Sequence, residues 1–64
     1  MVKINGEEFD VSGISIAKYL FDSGYDTKRV AVEINGEILP KSLYESACLK
    51  DGDCVEIVCF VGGG

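Results

Sequence analysis

The chain has 64 residues, 47% of them hydrophobic, and six Lys and Arg against eleven Asp and Glu give a formal net charge of −5. That length holds one small domain, and the apolar fraction separates it from disordered chains. The acidic balance excludes the basic face that nucleic acid or an anionic lipid surface requires, while leaving steering toward a basic protein partner open.

The opening Met1-Val2-Lys3-Ile4-Asn5-Gly6 meets charge too early for a signal peptide, so a cytoplasmic location is expected. Val2, Ile4, Phe9 and Val11 alternate with Lys3, Glu8 and Asp10 on either side of Asn5-Gly6. Asn-Gly suits a type I′ turn, where both central residues need positive φ, so residues 2–11 read as a β-hairpin with one face buried. A helix follows. Ser15 is its candidate N-cap, Ile14 and Tyr19 have the spacing of a hydrophobic staple, and Ile16, Tyr19 and Leu20 fall on one face. Lys18 opposes the helix dipole in the first turn, and Gly24 is the residue expected to end the helix.

Val30, Val32 and Ile34 alternate with Ala31 and Glu33 as another strand. Asn35-Gly36 repeats the turn chemistry, and Glu37-Ile38-Leu39 returns as a short strand stopped by Pro40. Ile4-Asn5-Gly6-Glu7 thus recurs as Ile34-Asn35-Gly36-Glu37, one hairpin solution used twice. Residues 41–50 carry Leu43, Tyr44 and Leu49 in a polar setting and suggest a short helical turn over the core edge. Asp51-Gly52-Asp53 is a turn, and residues 54–61 form the last and most hydrophobic strand, too short to cross a bilayer. Being apolar on both faces, that strand is expected at the centre of the sheet. The order implies an α+β, β-grasp (ubiquitin-like) fold, a mixed sheet of four to five strands with one main helix on one face. The domain is expected over residues 1–61, with 62–64 as a flexible glycine tail.

Enzyme chemistry is poorly provided for. There is no histidine, so no Ser-His or Cys-His nucleophile, and the terminal glycines lack the lysine and following helix of a phosphate loop. Glu7 and Glu8, like Asp51 and Asp53, fit turns and strand ends better than an acid–base pair. Cys48, Cys54 and Cys59 lack zinc-ligand spacing. Cys54 and Cys59, five apart in one strand, point to opposite faces and cannot pair. All three are expected to be small buried hydrophobes, and no metal is expected. Val55, Ile57, Cys59 and Val61 should share the face toward the helix. Val58 and Phe60 then lie on the open face, where exposed apolar residues beside the tail suggest a partner docking surface.

The chain ends in Gly62-Gly63-Gly64 directly after that strand. The tail is either a frayed end or a handle, and pure glycine abutting a strand favours the handle. Taken with Val30-Ala31-Val32-Glu33-Ile34-Asn35-Gly36-Glu37-Ile38-Leu39-Pro40, Leu49-Lys50-Asp51-Gly52-Asp53 and Val55-Glu56-Ile57-Val58, the chain resembles the ubiquitin-like ThiS/MoaD sulfur carrier family. Its compact length suits the ThiS branch better than the usually longer MoaD branch.

The resemblance implies a co-substrate carrier, not an enzyme. A ThiF-like adenylyltransferase would use ATP to convert the Gly64 carboxylate to an acyl adenylate. Sulfur from a persulfide donor would then leave a thiocarboxylate, and a ThiG-like thiazole synthase would take that sulfur for the thiazole ring of thiamine. Gly62 and Gly63 carry over as the tether, and no cofactor is expected to stay bound. The family pattern needs only two terminal glycines, so Gly63 becomes the acceptor if Gly64 is trimmed. An inward-pointing Cys59 would be kept from the activated acyl group. A carrier feeding molybdopterin or cysteine synthesis, or a ubiquitin-like module that binds without covalent chemistry, remains an alternative.

Overall fold

The computed structural model describes residues 1–60. Strands β1 (Val2–Ile4) and β2 (Glu7–Phe9) are followed by helix α1 (Ile16–Asp22) and a 3-10 turn at Thr27–Arg29. Strands β3 (Val30–Ile34) and β4 (Glu37–Leu39), a second 3-10 turn at Lys41–Leu43 and strand β5 (Cys54–Cys59) complete the order. The strands form one mixed sheet in the order β2-β1-β5-β3-β4. The two hairpins flank β5, which runs parallel to β1 and antiparallel to β3. The last strand is therefore central, as its composition implies, although its outer face is open to solvent and not covered by a second layer. The strand ends at Cys59, short of the expected 54–61: Phe60 is described and lies past it, and Val61 lies outside the described residues.

Both Asn-Gly turns have the predicted left-handed backbone, with φ of 51° and 85° at Asn5-Gly6 and 53° and 86° at Asn35-Gly36. The first hairpin is less deeply buried than its alternation suggests. Val2 and Ile4 are buried, but no residue of β2 is, because β2 is a three-residue edge strand. Phe9 sits at the rim, its ring edge-on to Tyr19 with centroids 6.4 Å apart.

The amides of the first three residues of α1, which have no partner inside the helix, are all bonded. The Ile16 and Ala17 amides donate to the carbonyls of Ala47 and Tyr44 at 2.9 and 2.8 Å. The Lys18 amide donates to Ser15 Oγ at 3.0 Å, and the Tyr19 amide makes the first regular helix bond, to the Ser15 carbonyl. Two of these partners come from residues 41–50, which form a lid over the helix start as well as a helical turn. At the other end, Tyr25 N–H bonds the Leu20 carbonyl and Gly24 N–H the Phe21 carbonyl, a Schellman closure with Gly24 at φ 81°. Lys18, unfavourable to the dipole, pairs with Asp22 at 3.0 Å, an exposed contact of small effect.

Ile16 and Leu20 from the helix meet Val2, Ile4, Val30, Val32, Val55 and Ile57 from the sheet, with Tyr44 and Leu49 closing the edge. Leu43, by contrast, is exposed. Burial pushes the Tyr44 phenol above its ordinary range, partly offset by a hydrogen bond with the Val32 backbone. A raised folded-state value means that stability is fully present below the unfolded phenol value of about 10 and is lost as pH rises above it. Tyr44→Phe should flatten that alkaline fall, measured as urea midpoints between neutral pH and the alkaline limb. An unchanged limb would place the titration elsewhere.

Candidate functional site

The chemistry expected of this chain sits where β5 ends. On β5 the side chains of Val55 and Ile57 turn into the core, whereas Cys54, Glu56 and Val58 face outward. Val58 and Phe60 are 54% and 57% exposed, as the alternation predicts. Across the sheet Val58 stands opposite Ala31, and Glu56 opposite Glu33. Ile38, on β4 opposite Glu33, is 75% exposed. The open face therefore has apolar residues towards the end of β5 and carboxylates alongside them. Phe60 is tied down through its backbone, its N–H donating to the Arg29 carbonyl at 2.7 Å. Gly62, Gly63 and Gly64 lie outside the described residues.

The cysteines correct an expectation. Cys48, Cys54 and Cys59 are all exposed free thiols, not buried hydrophobes. Cys54 lies on the outward register of β5, and Cys48 lies in the loop that bridges to Ser15. Cys59 has the inward register but ends the strand past Ile57, the last β5 residue in the core, so direction alone does not shield it.

Acidic residues near the turns act as fasteners. Asp53 accepts from the Lys50 amide at 2.9 Å and from Asn35 Nδ2 at 3.1 Å. Asp51 accepts from the Met1 amino group at 2.7 Å, which holds its carboxyl below the usual range. A shallow depression of about 280 Å³ opens on the helical side between Ala17, Thr27, Lys28, Lys41, Tyr44 and Glu45, and none of the residues expected to act lines it.

Sequence reasoning missed what the turn asparagines do with their side chains. Asn5 Oδ1 accepts the Ile57 N–H at 2.8 Å, and its Nδ2 donates to the Ile57 carbonyl at 3.3 Å. Asn35 Oδ1 accepts the Cys54 N–H at 2.9 Å. The available signal was the recurrence of Ile-Asn-Gly-Glu, since a turn alone is equally served by Asp-Gly or Gly-Gly.

The ThiS family model matches residues 2–64. The chain belongs to the ThiS family. It is 38% identical over 66 residues to the sulfur carrier protein ThiS of Bacillus subtilis, each chain covered completely. It also superimposes on the crystal structure of the thiamine biosynthesis protein ThiS from Geobacter metallireducens with a TM-score of 0.79 and 33% identity, covering 98% of this chain and 97% of that one. The β-grasp expectation is thereby met, and at the level of the family so is the expectation of a carrier in place of an enzyme. A thiazole synthase from Paramagnetospirillum magneticum is 48% identical over 62 residues; the match takes in 95% of this chain but only 19% of that protein. This chain thus spans about a fifth of that relative's length. Among the described residues, no helix is long and apolar enough to cross a membrane.

Proposed function

We propose that this ThiS-family chain carries sulfur on the carboxylate of Gly64 for assembly of the thiamine thiazole. The observation that carries the reading is the family match through residue 64, which takes in the three glycines after the central strand. A free carboxylate resists nucleophiles. A ThiF-like adenylyltransferase uses ATP to make the acyl adenylate, whose AMP is a good leaving group. The terminal sulfur of a persulfide donor displaces AMP to form an acyl disulfide. A second thiol then attacks the donor's own sulfur, releasing the thiocarboxylate and leaving a disulfide on the thiol pair. A ThiG-like thiazole synthase accepts that sulfur, and a thiazole synthase with a ThiS-like stretch of its own supports this pairing. Gly62 and Gly63, having no Cβ, let the acid enter a narrow active site. ATP is bound by the activating enzyme, not by the carrier, and the setting is cytoplasmic.

The open face supplies what the tail lacks. Ordering three glycines costs about 3–6 kcal/mol at roughly 1–2 per residue. Val58 and Phe60 are already about half buried, so covering the remainder returns about 0.8–1.7 kcal/mol each. Phe60→Asp should therefore weaken binding to the activating enzyme by about tenfold while the melting temperature stays near wild type. Loss of the fold instead would assign Phe60 to the core.

Intact-mass spectrometry tests the function. With activating enzyme, ATP and a sulfur source, one oxygen at the C-terminus should be exchanged for one sulfur. No exchange where a known carrier reacts would leave a module that binds without covalent chemistry. Transfer to a purified acceptor other than thiazole synthase, and not to thiazole synthase, would redirect the pathway.

A further inference from the structure

We infer that, given the carrier reading, Asn5 is a positioning residue for sulfur loading: its side-chain amide holds the tail-bearing end of β5 in line. The parallel ladder between β1 and β5 runs only through Lys3↔Cys54 and Ile4↔Val55. Its last backbone bond on this edge runs from the Asn5 N–H to the Val55 carbonyl, at 2.9 Å. A regular β1 would next offer the Asn5 carbonyl to the Ile57 N–H. Asn5 instead sits at φ 51°, where its backbone has already entered the turn.

The side chain takes over. Oδ1 accepts from Ile57 N–H at 2.8 Å and Nδ2 donates to the Ile57 carbonyl at 3.3 Å, so one amide group replaces a ladder residue. On the opposite edge, β3 pairs as far as Cys59, and the Arg29 carbonyl holds the Phe60 N–H. The end of β5 is thus gripped from both sides, and the grip on the β1 side comes from one side chain. Asn35 makes a matching contact to Cys54, at the start of the same strand, away from the tail.

Without the Asn5 amide the strand end visits more directions, and only a fraction of them present Phe60 and the tail together. Apparent affinity for the activating enzyme then falls by that fraction, with the chemical step untouched. Asn5→Gly removes the amide and still accepts positive φ. Asn35→Gly is the matched control at the far end.

The experiment is pyrophosphate exchange by the activating enzyme with the carrier as varied substrate, alongside amide hydrogen exchange at Ile57. Asn5→Gly should raise KM by roughly three- to tenfold with kcat unchanged, as expected for lost hydrogen bonds of ordinary strength, and should deprotect the Ile57 amide. Asn35→Gly should leave KM at the wild-type value. If Asn5→Gly fails to fold, Asn5→Asp, which keeps the acceptor for the Ile57 N–H but loses the donor, should show the same KM-only pattern to a smaller extent. An unchanged KM in the folded Asn5 variant, or an equal rise in both asparagine variants, overturns the inference and leaves the carrier reading standing. A wild-type chain that the enzyme does not adenylate overturns both.

Discussion

Converting the Gly64 carboxylate to an amide should reduce sulfur loading to background while leaving the folded domain unchanged. Adenylation begins with a carboxylate oxygen attacking the α-phosphorus of ATP. A primary amide is a poor nucleophile and offers no acid to activate, so the whole rate is lost at the first step. The buried core is drawn from residues between Val2 and Ile57, so circular dichroism and the melting temperature should match wild type. Binding should fall far less than turnover, because Val58 and Phe60 are untouched. The amidated chain should therefore act as a competitive inhibitor of loading. Loading of the amidated protein at the wild-type rate would place the acceptor elsewhere.

The second large effect concerns the core. Leu20 is fully buried at 0% exposure, on the face of α1 that meets the sheet. Leu20→Ala should cost about 2–5 kcal/mol through lost burial and the cavity left behind. A 64-residue domain has only about 3–10 kcal/mol in total, at 0.05–0.15 per residue, so the variant should be largely or partly unfolded at physiological temperature. Phe21, the next residue, is 82% exposed, and Phe21→Ala should stay within about 0.5 kcal/mol of wild type. Urea titrations of the two variants make the comparison. A Leu20→Ala midpoint close to that of Phe21→Ala would mean that the helix does not anchor the core.

The elements were legible because each has a local physical cause. Alternation marked the strands, Asn-Gly pairs marked both hairpins, and Ser15 and Gly24 bracketed the helix. The apolar faces of β5 gave its central place and the outward direction of Val58 and Phe60. What stayed hidden depends on contacts distant in sequence. Nothing near Asn5 announces a partner at Ile57, and nothing near Tyr44 or Ala47 announces that their carbonyls cap α1. Cys59 shows a second limit. Register predicts a direction, but burial also needs a neighbour on that side, and the end of a strand has outrun its neighbours.

The central position of β5 has a consequence for how the chain acquires its shape. β2-β1 and β3-β4 touch the same strand from opposite edges and are joined through it alone within the sheet. A nascent polypeptide that has not yet reached Cys54 holds two small hairpins with no common ladder, each marginal by itself. Closure must bring Ile4 to Val55 across most of the chain, a slow step of high contact order. During synthesis the sheet is therefore assembled all at once, when its middle strand is delivered, and not built up strand by strand as the ribosome moves along.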